Sequence, residues 1–484
     1  MSLRAAVERV HAAFDAERAL ERVAALAALD RYQVSEGVER AADFVAAEAE
    51  RAGLEEVSMT SYPPGSTWWT YAAPPAWTPR SARLELGDGT VLAGYPDTPC
   101  SLATFSRPTT ARTVTIVPLG EGSLDGALAV VPPGVLPLSQ LEASGALGFV
   151  ACVSPVAVGR IELAPETRLV GFSVDRDALA RAATGGEALV EVEVAASGSM
   201  PVVTGRLAGE ASAEALFLAH LCHPRPGAND NASGVAATLG LAEVFRSLAP
   251  LGAGLRFVWG PEFLGTAAYL HDVVGAGLAP LPRSALNLDM VGEDQDRCGG
   301  PLILERSPEH LSSPLDAVAE QCAAIVAERA PSMWRWRSAP FLGASDHLLL
   351  ADRAFGVPTL QLGHWPDRFN HTSADDVENV DPEELRRVAA IAGAAVLSAP
   401  LPEPRPNGAP ARAWEGPFNL RAALADAPEA DRRWFEGELA ADRRGAYARA
   451  VGLALRIDGG APTAENPFEA RFLELLQAAG WVER

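Results

Sequence analysis

The chain has 484 residues, 48% of them hydrophobic, and a formal net charge of -22, which is length enough for two or three domains around a large core. Such acidity argues against a nucleic-acid partner, which needs Lys or Arg to displace phosphate counterions. All 40 basic residues are arginine, so a Schiff-base lysine or a P-loop lysine is excluded.

In chain order, residues 1–60 read as N-terminal helices. Apolar Val38, Ala41, Ala42, Val45, Ala46, Ala49 and Ala52 recur at three and four, and Gly53 marks a stop. From Ser61 the texture turns rich in Pro and Trp, then in short alternating strands at 82–86, 114–117, 127–131, 147–153 and 188–195. This predicts a β-rich module over 61–199, with Trp68, Trp69, Tyr71 and Trp77 packing at its boundary or lining an entrance.

Residues 200–400 alternate strand and helix. Apolar runs at 215–219, 255–259, 285–288 and 358–362 predict buried parallel strands, with helices over 234–248, 314–327 and 382–397. That alternation predicts a doubly wound α/β sheet. A Pro-rich linker at 399–410 leads to a mostly helical unit at 411–484. Five scattered cysteines and a charged, amphipathic N-terminal segment predict a reduced, cytoplasmic chain with no membrane partner.

Ligands of open α/β sheets bind outside the carboxyl ends of the strands. His220 directly follows the first run and Asp230 sits in the turn beyond it; Glu262 follows the second run, Asp289 closes the third, and His371 lies after the fourth. His and carboxylate donors without a cysteine cluster suit Zn²⁺, with Mn²⁺ or Co²⁺ as alternatives. A carboxylate beside such an ion can take a proton from activated water, and Glu262 is the candidate base.

The pattern resembles the co-catalytic zinc aminopeptidases, a group that includes bacterial leucyl-type aminopeptidases and glutaminyl cyclases. The resemblance rests on GANDNASG (227–234), NLDMVG (287–292), SDH (345–347) and NHTSADD (370–376). It implies a doubly wound mixed sheet of zinc-exopeptidase type over 1–60 and 200–400. It further implies an inserted protease-associated-like domain at 61–199 and a small helical or winged-helix-like domain at 411–484, read for packing or oligomerisation. Asp230 would bridge, His220 and Asp289 would ligate one metal, and His371 the other. Glu262 would be the base, and Asp346 a carboxylate that either supports the ligands from behind or faces the substrate. Recognition of a free α-amine needs a carboxylate near the metal, for which Asp346 or Glu293 could serve, and His347 beside Asp346 is a further substrate-binding candidate.

Two departures stand out. The family's Glu-Glu pair is Glu262-Phe263 here, so either the second metal is lost or weakened or Glu262 is itself a ligand and the base lies elsewhere; its His-x-Asp is His220-x-Cys222 followed by His223, a candidate substitute ligand or substrate contact. The expected activity is hydrolysis of an amide in a small peptide by an aminopeptidase binding one or two zinc ions. A deacylase or glutaminyl cyclase on the same site is the alternative, and an inactive metal-binding scaffold the rival from another class.

Overall fold

The computed structural model describes residues 2–402 apart from 309, 310, 312 and 353; the predicted unit at 411–484 lies outside the described residues. Two large sheets organise the chain. The larger has eight strands in the order Glu55–Tyr62, Met200–Leu207, Leu251–Gly260, Gly209–His220, Ser284–Leu288, Thr359–His364, Leu302–Glu305 and Trp336–Ala339. The four predicted parallel strands lie side by side in its middle, as a mixed α/β fold requires.

Both faces of this sheet are covered, which explains why its strands read as continuous apolar runs rather than alternating ones. Ala215, Phe217 and Ala219 face helices that include Glu36–Arg51, Gly234–Leu248 and Pro382–Ser398. Leu216 and Leu218 face the opposite layer, with Leu264–Ala268 and His347–Ala351. Phe217 and Phe257 stack with centroids 5.3 Å apart, each burial worth about 1.5–3 kcal/mol.

The helix predicted from Val38 is Glu36–Arg51. Ser35 caps it by accepting from Val38 N, Glu36 and Glu39 occupy its first turn, Arg51 its last, and Gly53 beyond it has φ +81°. Glu55–Tyr62, read as the end of a helical region, is instead an edge strand of the large sheet. Its side chains are mostly exposed, so no buried face was available to impose a period of two.

The smaller sheet has seven strands in the order Val91–Tyr95, Thr78–Leu86, Gly186–Ala195, Thr109–Pro118, Leu128–Val131, Gly148–Ala151 and Val170–Ser173, with its own apolar core. The chain leaves for it after Tyr62 and returns at Met200, two residues paired across the antiparallel edge of the large sheet. The aromatics pack at the borders. Trp68 is buried and donates Nε1 to Asp272 Oδ2 at 2.8 Å, while Trp77 meets Tyr32 edge-on with centroids 4.6 Å apart.

Candidate metal centre

Gly209–His220 pairs in parallel with Leu251–Gly260 on one side and Ser284–Leu288 on the other. The strand order therefore reverses at the strand that ends in His220, and a crevice opens at that carboxyl end. Gly260, Leu288 and His364 end the neighbouring strands, so the turns carrying Glu262, Asp289 and His371 converge beside His220.

The turn after His220 is shaped by its amides. Asn231 Oδ1 accepts from Gly234 N and Met290 N, and its Nδ2 donates to Leu288 O; Asn229 Oδ1 accepts from Gly292 N. These bonds bind the Asp230 loop to the loop of Asp289. Asp375 accepts from Asn229 N at 2.7 Å and Asp230 N at 3.1 Å, which fixes the backbone beneath the Asp230 carboxylate. Gly227, at φ +55°, leaves no room for a side chain, because a Cβ would lie 2.6 Å from both Asp230 O and His223 Nδ1. Below the loop, the buried Arg31 guanidinium donates to the carbonyls of Leu26, Leu29, Leu221, Pro226 and Gly227.

Two groups of potential donors result: His220, Glu262 and Asp289, and His223, Asp230 and His371, each within 4.8 Å. Asp230 joins them. Its Oδ1 lies 3.2 Å from His220 Nε2, and its Oδ2 lies 3.1 Å from His371 Nε2 and 3.4 Å from His223 Nε2. His220 Nε2 is also 3.2 Å from Asp289 Oδ1.

The donor set fits metal ions. Tetrahedral ligands about 2.0 Å from a shared ion stand about 3.3 Å apart, close to these separations. The tautomers agree as well: His220 Nδ1 is 3.1 Å from Cys222 O and His223 Nδ1 is 2.7 Å from Pro224 O. A ring that donates Nδ1–H to a carbonyl presents a lone pair at Nε2. At His223 that lone pair faces a carboxylate oxygen with no proton between, and His223 Nε2 and Asp289 Oδ1 are buried without a hydrogen-bond partner among the described residues; at His220 the opposing burial is outweighed by Asp289, Glu262 and Asp230, which raise its pKa well above the usual value and so mark a position that favours positive charge. A cation among these donors removes the conflict.

The electrostatics follow from burial and crowding. Burial pushes Glu262 up to about 8, with Asp289, Asp346 and Asp230 adding to the rise against His220. Burial also raises Asp346 to about 6. Burial opposes ionisation of Asp230, but His223, His220 and His371 outweigh it and hold that carboxyl well below its usual range. His223 is driven well below its usual value by burial.

His220, His223, Asp230, Glu262, Asp289 and His371 are thus brought together. Of the substrate-facing candidates, Asp346 stays at the border: its Oδ1 accepts from Phe263 N at 2.8 Å, so it fixes the turn after Glu262. The other two lie apart. His347 is fully buried with Nε2 2.8 Å from Glu305, and Glu293 is fully buried with Oε1 accepting from Gly300 N. Both side chains are enclosed, His347 at the start of the helix His347–Ala351 and Glu293 in the segment after the Asp289 turn. Cys222 does not take over the orienting of His220 through its side chain; its carbonyl does so, and its Sγ accepts from Glu262 N at 3.2 Å. Phe263, Met290 and His371 all have φ near +60°, a concentration of left-handed non-glycine residues typical of a strained, over-determined site. Sequence reasoning missed Asp375, the second-last residue of NHTSADD, and Arg31, which sits in no recognisable motif.

Residues 202–396 match the model of peptidase family M28. A stretch of 195 residues is 30% identical to Aminopeptidase YwaD of Bacillus subtilis, covering 38% of this chain and 40% of that protein, so the chain spans about two-fifths of that relative's length. Among solved structures, a zinc aminopeptidase from Bacillus subtilis is 19% identical over 79% of this chain and 94% of its own, with TM-score 0.58. A Peptidase M28 precursor from Shewanella amazonensis is 17% identical over 84% of this chain and 98% of its own, also with TM-score 0.58.

Proposed function

We propose, on the premise that residues 202–396 form a peptidase family M28 domain, that the chain is a metal-dependent hydrolase of the aminopeptidase type acting on short peptides. The observation that carries this reading is Asp230, whose two oxygens face His220 on one side and His223 with His371 on the other. His220, Asp230 and Asp289 would hold one ion, and His223, Asp230 and His371 the second. Zinc suits these donors. Ions bound there would supply Lewis acidity toward a water nucleophile and toward the scissile carbonyl.

The chain's own residues do the proton work. Glu262 is held by its backbone N–H on Cys222 Sγ, with Asp346 anchoring the following amide. Raised to about 8 by burial, its carboxyl keeps a proton at neutral pH unless a positive charge stands near, which an ion held by His220 and Asp289 would supply. From there Glu262 takes the proton of the attacking water and delivers it to the leaving amine. The seven-stranded unit is read as a protease-associated-like insertion, on the support that both its connections leave from paired strands of the large sheet. No helix among the described residues is long and apolar enough to cross a membrane.

The test is an assay of the zinc-loaded protein against aminoacyl anilides, N-acyl amines and Gln-peptides. Release of the anilide amine is expected, and its absence with metal bound would overturn the aminopeptidase reading. Glu262→Gln is expected to keep its metal and lose about 10²- to 10⁴-fold in turnover; undiminished turnover would remove Glu262 as the base.

A further inference from the structure

We propose that Arg160, carried to the metal centre by a loop of the seven-stranded unit, binds a carboxylate of the substrate close to the scissile bond. The inference rests on the peptidase reading above and names the substrate class it favours: short peptides bearing a carboxylate, such as dipeptides with a free C-terminus.

The loop between the strands Gly148–Ala151 and Val170–Ser173 does not stay with its own sheet. Gly159 pairs antiparallel with Thr372, Arg160 N donates to His371 O at 2.7 Å, and Ser373 N donates to Val158 O at 2.8 Å. These are the residues on and beside His371, whose Nε2 lies 3.1 Å from Asp230. The backbone of Arg160 is therefore one hydrogen bond from a member of the donor cluster. Gly159 lets the loop fold tightly on itself, since a Cβ there would lie 2.7 Å from Val153 Cγ2 of the same loop. Val153 and Val156, 39% and 48% exposed on the same loop, add apolar surface.

The Arg160 side chain is a quarter exposed, and its Nη2 lies 2.6 Å from Glu162 Oε2. Its positive charge bears on Asp230, Cys222, Glu262 and His223. A second guanidinium in this neighbourhood, that of Arg31, is buried and spent on backbone carbonyls. Arg160 is thus, among the described residues, a cation whose charge bears on the cluster and which solvent can reach; Arg225 nearby is engaged with Asp30 and the Pro96 carbonyl, and the exposed Arg368 lies over the Phe369 ring. Contact with Glu162 through one terminal nitrogen leaves donors of the planar fork for a second carboxylate, the group that fork matches best. The carboxyls Asp230, Asp289 and Glu262 and the imidazoles of His220, His223 and His371 are taken up as metal donors or base in the reading above, which leaves the Arg160 guanidinium as a side chain suited to pair with a substrate carboxylate.

The experiment compares kcat/KM of the zinc-loaded protein for three substrates: Leu-Leu, Leu-Leu-amide, and Leu-Asp-amide, which moves the carboxylate to a side chain. A charge-assisted pair predicts about a 10- to 100-fold preference for the free acid over the amide. If Leu-Asp-amide recovers the preference, the side-chain carboxylate serves as well; if not, the C-terminal carboxylate is the one read. Arg160→Gln is expected to collapse the acid-to-amide ratio to within about twofold, and Arg160→Lys to keep part of it. Glu162→Gln, which frees the guanidinium, is expected to widen the ratio. No preference in the parent protein, or an equal loss on acid and amide in Arg160→Gln, would overturn the proposal. So would loss of bound zinc from Arg160→Gln, measured by metal analysis, because that would make the residue structural. If no peptide is cleaved at all, the peptidase reading fails, and calorimetry of Leu-Leu against its amide decides the carboxylate claim separately: tighter binding of the acid that Arg160→Gln abolishes supports it, and equal binding sinks it.

Discussion

At the scale of single residues, the informative comparison is between His223 and Phe263. A phenylalanine stands where a ligating carboxylate would be expected from the resemblance, and its ring packs with the apolar layer around Trp68 and Tyr71 instead. His223 enters the same region from the opposite turn and puts Nε2 3.4 Å from Asp230 Oδ2, with its ring centroid 5.4 Å from that of His371. The candidate to replace the ligand lost from one strand end thus comes from another. Successive residues of an extended chain point to opposite sides, yet Pro224 and Gly227 turn the chain after His223 so that the ring folds back toward Asp230. If His223 is the replacement ligand, His223→Ala should lower bound zinc by about one equivalent while leaving the other ion in place. Metal analysis after exhaustive dialysis reads this directly, and an unchanged content would assign His223 a merely structural part.

At the scale of elements, the sequence made the strands and the chemistry-bearing turns legible because each is locally encoded. The run 215–219 is apolar on both faces, GANDNASG carries its own hydrogen-bonding amides, and Pro314–Ala327 and Pro382–Ser398 begin with a capping Ser or Asp and a Pro at the first turn. Contacts between distant elements left no such trace. Arg31 reaches carbonyls about 190 residues away, and the bridge from Gly159 to Thr372 joins two loops that each read as ordinary connections. Glu384 is a further case. It looks like an acidic residue of a helix's first turn, but it is fully buried, 2.9 Å from His364 Nε2, accepts from Trp334 Nε1, and meets Arg387 at 2.7 Å. His364 in turn has Nδ1 2.9 Å from Met290 O, next to Asp289. Burial alone would raise the Glu384 carboxyl, but His364, Trp334 and Arg387 outweigh it and lower its pKa. A native value below the unfolded one, about 4.3, means stabilisation that is complete above that range and is lost as pH falls through the native value. Glu384→Gln should therefore cost about 3–5 kcal/mol at neutral pH, because it leaves buried partners uncompensated. It should also flatten the acid limb of the stability curve, and denaturant titrations at pH 7 and pH 4 measure both; equal acid sensitivity in the parent and the variant would contradict the linkage.

At the scale of the whole molecule, the candidate centre ties together parts that are remote in sequence and belong to separate apolar cores. His220 and Asp230 follow one strand, Asp289 closes another, and His371 is gripped by a loop from the seven-stranded unit. Buried carboxylates and imidazole lone pairs face one another across the crevice, so without a cation the folded state holds charge it would otherwise have to neutralise by protonation. A ligand that binds only the folded arrangement stabilises it by mass action, about 2.7 kcal/mol when free metal stands at a hundred times its dissociation constant. For a cooperative unit as large as the eight-stranded domain with its helices, that corresponds to a rise in Tm of about 5 °C for each ion bound. Zinc should thus raise the melting temperature in a concentration-dependent way, and a chelator should lower it again. In His223→Ala the shift should shrink toward that of a single ion, since one half of the cage is gone. Because the 158–160 loop holds His371 by backbone hydrogen bonds, the metal should also stiffen that loop, and amide exchange at Arg160, whose N–H is donated to His371, should slow when zinc is added. A melting temperature indifferent to zinc, with unaltered exchange at Arg160, would mean that the two donor clusters do not act as a metal site joining the sheets.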